Sequence, residues 1–406
     1  MVTINEALEI IYNSVTKKST HIIPIEQSIG SVSAQSYQAS FDLPRFDNSA
    51  MDGYAVKLTD AGKAVNIKEV IYAGDRPQEH LHHDEAIKIM TGAPIPKGCE
   101  AIVPIEDVEF LTQQSIILPP TINPNAMIRW QGEDIKSGKT FMNAHEKITA
   151  YSLALLSSQG ITHIEVYRKP KVVIFSTGEE LKAHYEKIDT HQLYNSNAPM
   201  FYARAKELGC DVSYISNSGD TTEELKKAVS HAMDADLILT SGGVSVGDKD
   251  FTIQAFSELG METLFSKVNI KPGKPTTFGK LGKCFVINLP GNPLAAMVNF
   301  EMFVKPSILK LTGTNSFYHP LITTKMRNDY KFKAGKYAVI LGKWNGDSFE
   351  PLSNQKPGMV SPLEQADGMI VTTKEIDHLN KNQEVKMIPI KFEIQSSKKE
   401  DFFIKG

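Results

Sequence analysis

Apolar residues at Ile4, Leu8, Ile11 and Val15 repeat at the spacing of one helix face, behind a Thr3-Ile4-Asn5-Glu6 sequence that can close a capping box. From about Phe41 this rhythm breaks into Pro, Asp and Gly around short apolar runs such as AIKIM and AIVPI. That texture predicts a β-rich insert lasting to roughly Gly138. Helical spacing returns in TAYSLALLSSQG, which opens at Thr149 and stops at Gly160. Packing of this second helix back on the first would make the first domain discontinuous.

From Lys171 onward, strands and helices alternate. VVIF reads as a short buried strand followed by the loop Ser176-Thr177-Gly178-Glu179-Glu180. SNAPMFYARAKELG reads as a helix capped by Ser196 or Asn197, with Pro199 in its first turn and Gly209 at its end. DVSYI is a strand, Thr221-Thr222-Glu223-Glu224 begins a helix, and LILTSGG is the next strand. A helix near 251–259, the strand in CFVINLPGNP and a long helix from Pro293 to about Leu311 complete the series. Such alternation means βαβ units and a mainly parallel sheet, whose ligands sit at the carboxyl ends of the strands. The loops after 175, 240 and 289 are therefore the candidate ligand loops. Beyond Thr312, YAVILGKW and DGMIVTT restore strand-like runs. The expected architecture is α/β multidomain: a discontinuous N-terminal domain (1–44 and 139–168), a β-rich insert (45–138), a central α/β domain (169–314) and a C-terminal β domain (315–406).

Composition narrows the class. With 406 residues, the chain should form roughly two to four domains. A hydrophobic fraction of 41% and a charged fraction of 22% describe an ordinary globular protein. A net charge of −3 argues against a nucleic-acid surface, and the absence of any run of about 18 apolar residues argues against a membrane span. No basic and then apolar leader opens the sequence. Cys99, Cys210 and Cys284 form no CxxC unit, which fits a reducing cytoplasmic setting.

Three stretches carry ligand chemistry. In TSGGVSVG, glycines allow consecutive N–H groups to converge on an anion, making Ser241, Gly242, Gly243, Ser245 and Gly247 candidate phosphate-binding positions. A tight turn needing glycine for geometry alone explains the stretch equally well, and it is neither GxGxxG nor a P-loop. LPGNP places Gly291 and a capping Asn292 ahead of Pro293, leaving a helix N-terminus open to a ligand, although a plain helix start has the same signature. NIKPGKPTTFG sets Lys271 and Lys274 three residues apart beside Pro275, and an oxyanion between them would relieve their repulsion. Glu180, Asp220, Asp248 and Asp250 fall in the same class of loop, where hard oxygen ligands at a phosphate nest suit Mg²⁺. Acids favoured by helix dipoles are the alternative. In the first half, FDLPRFDNSAMDGYAV gathers Asp42, Asp47 and Asp52 around a turn, and IMTGAPIPKG and IRWQGED add Thr91, Arg129, Glu133 and Asp134. HLHHDE lacks partner ligands and reads as solvated surface rather than a metal cluster.

Taken in order, NSAMDGYAV, MTGAPIPKG, GED, STGEEL, SNAPM, TSGGVSVGDKDF, KPGKP and LPGNP resemble the molybdopterin molybdenumtransferase family over essentially the whole chain. Singly these motifs are weak, but the ordered set is specific. The family performs the last step of molybdenum-cofactor assembly and includes the E domain of the animal protein gephyrin. The resemblance implies four domains per protomer and a homodimer whose active site lies at the subunit interface. The SAMDGYA region would come from the other subunit. It implies molybdate insertion into adenylylated molybdopterin with release of AMP, a divalent cation such as Mg²⁺, and a transient contact with the preceding adenylyltransferase. Asp52, Thr91, Arg129 and Asp134 match polar positions of the β-rich domain. Glu180, Asp220 and Asp250 match acidic positions of the α/β domain, with Glu180 and Asp250 toward the metal. Lys271 and Lys274 match the oxyanion lysines, and Ser361 in PGMVSP matches a serine of the C-terminal domain. One departure is an arginine that family members commonly carry in the C-terminal domain; here KAGKYAVIL offers only Lys336 nearby. The rival readings are the adenylyltransferase one step earlier, built on the same α/β fold, and a non-catalytic scaffold.

Overall fold

The computed structural model describes residues 1–77, 79–176, 178, 180–215, 221–242 and 251–391. Its central sheet runs in the order Asp211–Ile215, Lys171–Ser176, Leu237–Ser241, Cys284–Leu289, Thr277–Leu281, Glu262–Ser266. The first four strands are mutually parallel, and only Thr277–Leu281 runs against its neighbours. The three inner parallel strands, Lys171–Ser176, Leu237–Ser241 and Cys284–Leu289, are almost wholly buried because helices cover both faces, whereas the edge strand Asp211–Ile215 is partly exposed. Leu237 and Leu239 face one apolar cluster, while Ile238 faces another with Val173, Phe175 and Phe256. Strand order reverses between Lys171–Ser176 and Leu237–Ser241, and at such a switch point the loops diverge and leave a crevice.

The helix Ile4–Ser14 forms as its spacing predicts, with Thr3 and Glu6 closing the capping box. It does not meet the second helix. Ile4, Ala7, Ile11 and Val15 are buried in the α/β core beside Phe265 and Leu311. The second helix, Ala150–Ser158, instead buries Leu156 against Ile25, Ile148, Ile164 and Val166. The segments before and after the β-rich insert are joined by strands: Thr20–Pro24 pairs with His163–Tyr167, and Tyr37–Gln38 with Thr140–Met142. Amphipathic spacing identifies a face but not its partner, which is why the helices could not be matched from sequence.

The insert is a six-stranded sheet from Gly53 to Ile117 with an apolar cluster on each face, drawn from residues 54–128. The C-terminal strands Tyr337–Trp344, Ser348–Pro351, Ile322–Met326, Glu384–Pro389 and Gly368–Val371 close on themselves, since the first also pairs with the last. Alternation along Tyr337–Trp344 sends Ile340 inside this barrel and Val339 and Leu341 outward onto the α/β core. Among the described residues, no helix is long and apolar enough to cross a membrane.

Candidate functional site

At the switch point, Ser241 ends its strand and Gly242 follows at φ +95°, a conformation that glycine adopts without a Cβ penalty. The Gly242 N–H donates to Leu289 O at 3.3 Å, tying this turn to the LPGNP loop. A side chain at Gly291 would already touch Gly242 Cα, at 3.5 Å. Ser241, Gly242, Gly291 and Asn292 are thus brought together. Gly243, Ser245, Gly247, Asp220 and Asp250 lie outside the described residues. Asn292 departs from expectation: its carbonyl accepts from Ala296 N at 2.8 Å, but its exposed side chain makes no cap hydrogen bond. Its Oδ1 instead faces Gly358 of the C-terminal unit, whose Pro357 carbonyl accepts from Leu294 N at 3.0 Å. Ser361, three residues beyond Gly358, opens the short helix Ser361–Gln365.

Helix capping near Ser196 also differs. Asn195 Oδ1 accepts from Ala198 N at 3.1 Å, whereas Ser196 makes no cap bond. Asn197 is freed for another task, as its Nδ2 donates to both Ser241 Oγ and Gly291 O at 2.7 Å. Nearby, Thr240 Oγ1 donates to Asn288 Oδ1 at 2.8 Å. Asn197 Oδ1, Asn288 Nδ2 and Thr252 Oγ1 are all buried without a hydrogen-bond partner among the described residues. Each such atom costs about 1–3 kcal/mol. Their concentration at the carboxyl ends of the strands marks a place shaped for something other than stability.

The lysine strap is fixed from two sides. Ile270–Lys271 adds a parallel strand beside Tyr337–Ala338, which places Lys336 one residue ahead of that pairing. Behind the strap stands Asn299, fully buried: its Oδ1 accepts from Thr276 Oγ1 at 2.8 Å, and its Nδ2 donates to Pro272 O at 3.3 Å and Ala295 O at 2.7 Å. Asn299 ends the helix Pro293–Asn299, and a π-helical turn, Phe300–Val304, follows. Lys271 and Lys274 remain exposed, with Pro275 half-buried beside them. Sequence reasoning missed Asn197 and Asn299. The signal for Asn299 was a lone amide inside PLAAMVNFEMFV, which names no partner.

Glu180 sits exposed in the loop after Lys171–Ser176, its carboxylate folded back to within 2.9 Å of where a Cβ on Gly178 would lie. A carboxylate is a hard oxygen donor of the kind Mg²⁺ takes. Among the described residues, no group of three or more His, Cys, Asp or Glu could hold a metal.

In the insert, the loops carrying Asp52, Thr91 and Arg129 are stitched together. Asn48–Ser49 pairs with Ile128–Arg129, Ser49 N donates to Ala93 O, and Ala50 N to Met127 O. Asp52 Oδ1 accepts two bonds of 2.7 Å, from the N–H and Oγ1 of Thr91. These hold the carboxyl below the usual aspartate range, the backbone bond contributing most. Asp42 and Asp47 do not share this site; Asp42 accepts from Gln131 Nε2 and Ser137 N, and Asp47 from Gln131 N. Asp134 lies further along, exposed, its N–H on Leu43 O.

A doubly covered parallel sheet with a glycine-lined switch point, together with a β-rich insert and a small barrel, defines a multidomain α/β protein with its candidate ligand crevice at the strand ends. Residues 2–160 match the family described as MoeA N-terminal region (domain I and II), 173–310 the probable molybdopterin binding domain, and 323–390 the MoeA C-terminal region (domain IV). A molybdopterin molybdenumtransferase of Staphylococcus epidermidis is 30% identical over 91% of both chains. One from Haemophilus influenzae is 36% identical over 74% of this chain and 75% of its own. The crystal structure of a molybdopterin biosynthesis protein from Pyrococcus horikosii matches with a TM-score of 0.81 and 27% identity, covering 97% of this chain and all of its own. The chain belongs to the molybdopterin molybdenumtransferase family.

Proposed function

We propose that the chain inserts molybdate into adenylylated molybdopterin, releasing AMP and molybdenum cofactor. What carries this reading is that the Gly242 turn and the Gly291 loop meet at the strand ends, while the clamped lysine strap leads into the sheet at Thr277, opposite Asn288. Backbone N–H groups of the Gly291 loop, beside the Gly242 turn, bind phosphate without a mobile side chain. Lys271 and Lys274, held apart by prolines, take the molybdate dianion, and Ser361 approaches from the C-terminal side. Glu180, with Asp250, would hold Mg²⁺, which supplies charge neutralisation on the pyrophosphate link. Asp220 belongs to the same acidic set. The chain pre-positions these charges and needs no Ser, Cys or His nucleophile.

The second half of the site comes from another copy. Asp52, Thr91, Arg129 and Asp134 lie in a unit whose apolar clusters draw on residues 54–128 alone, separate from the α/β core. The same stitched loops expose Phe46 (47%), Met127 (43%) and Trp130 (45%), an apolar offering that a homodimer would cover.

Purified protein given molybdopterin-AMP, Mg²⁺ and molybdate should release AMP and capture molybdenum, and chelation of Mg²⁺ should stop it. Asp52→Asn and Asp250→Asn should fold normally and slow AMP release by ~10²-fold or more. ATP consumption would instead identify the adenylyltransferase, inert binding a scaffold, and unaltered turnover in both variants would remove these residues from the mechanism.

A further inference from the structure

The reaction proposed above leaves Asn197 of the SNAPM stretch without a task, although its geometry is among the most constrained in the α/β domain. The residue is 5% exposed, and both its hydrogen bonds, to Ser241 Oγ and Gly291 O, are 2.7 Å long. Because Gly291 offers a carbonyl oxygen, only the amide nitrogen can face it, so the orientation of the side chain is set. Oδ1 is then turned away, buried and without a partner among the described residues. Rotating the amide to satisfy Oδ1 would surrender the bond to Gly291.

The helix carrying Asn197 does not need these bonds. Asn195 caps it, Ala198, Phe201 and Ala205 are buried in the core, and Phe201 stacks on Phe300 at 5.5 Å. Arg204 reaches the buried Glu301 with Nε at 2.8 Å and Nη2 at 2.7 Å. The beneficiaries are the two loops. Ser241 leads into the Gly242 turn, and a Cβ on Gly291 would already be in van der Waals contact with Gly242. We infer that Asn197 is a positioning residue: it sets the turn after Ser241 and the Leu289–Pro293 loop as one rigid surface for the phosphate end of the pterin substrate. The inference rests on the function proposed above only for the identity of that ligand. The orphaned oxygen is what this placement costs.

The test uses full-length Asn197→Ala and Asn197→Asp, the latter matched in volume but facing Gly291 O with an acceptor. Amide hydrogen exchange should rise ~10-fold or more at Gly242 and Gly291, with Val172–Phe175 unchanged. Affinity for purified molybdopterin should fall ~10-fold, and KM should rise more than kcat falls. Unchanged exchange at both loops would overturn the inference, as would loosened loops with unchanged molybdopterin affinity. Global unfolding of both variants would make Asn197 a determinant of the fold and overturn it too. If the unaltered protein binds no molybdopterin, the proposed function fails, while the exchange measurement still decides whether Asn197 positions the loops.

Discussion

Asp52 is exposed, yet two hydrogen bonds from Thr91 to a single oxygen keep its carboxyl ionised below the usual aspartate range. Because the folded-state value is depressed, the contact stabilises the fold above the pKa of an unfolded aspartate. That contribution is lost as the pH falls through the folded value. Thr91→Val deletes the hydroxyl donor and keeps the backbone one. The Asp52 pKa, followed by NMR titration of its carboxyl carbon, should therefore rise without reaching the unfolded value. A full return to that value would mean the backbone bond is not the larger cause. At this scale the sequence was readable only through family resemblance, which selected Asp52 from among Asp42, Asp47 and Asp52. Composition around the turn treats the three alike, whereas in space two of them fix the Gln131–Ser137 loop. Asn195, Ser196 and Asn197 were equally opaque, since adjacent Asn and Ser residues all suit a helix start and only the backbone path assigns the cap.

Among the loops, the lysine strap is the one whose geometry is most tightly specified. Gly273 has φ +112°, and a Cβ there would lie 1.6 Å from Asn299 Nδ2. Gly273→Ala meets a left-handed backbone penalty of roughly 1–2 kcal/mol and an overpacking penalty of roughly 1–3 kcal/mol. Urea unfolding should report that loss. Adding Asn299→Ala should recover the overpacking share, so the double variant should lose less than the two single losses combined. Strict additivity would mean the two residues do not meet. Two lysines among prolines could be recognised as a rigid cationic loop from sequence. Its clamp could not, because Asn299 is 26 positions beyond Gly273 and its helix reads as uniformly apolar. The βαβ rhythm was legible for the opposite reason: the inner strands are buried on both faces and the helices between them carry start and stop signals. The first helix was legible as an element and illegible as a partner, for its apolar face suits any core that reaches it.

Across the whole molecule, the candidate residues fall into two sets on different units. Ser241, Gly242, Gly291, Lys271 and Lys274 ride on the α/β domain and its strap, while Asp52, Thr91 and Arg129 ride on an insert with apolar clusters of its own. Sequence order lists both sets but is silent on which protomer's insert meets which sheet. A site shared between two subunits has a consequence that a site within one protomer lacks. In a dimer of one Asp52→Asn and one Asp250→Asn subunit, a shared arrangement concentrates both defects in one site and leaves the other intact. Within single protomers, every site would keep one defect. An equal mixture of the two variants, allowed to exchange subunits, forms mixed dimers half the time, each with one sound site in two. AMP release should then recover to about a quarter of the unaltered protein's rate. Release that stays at the level of the separate variants, with mixed dimers demonstrated by mass, would place the whole site within one protomer.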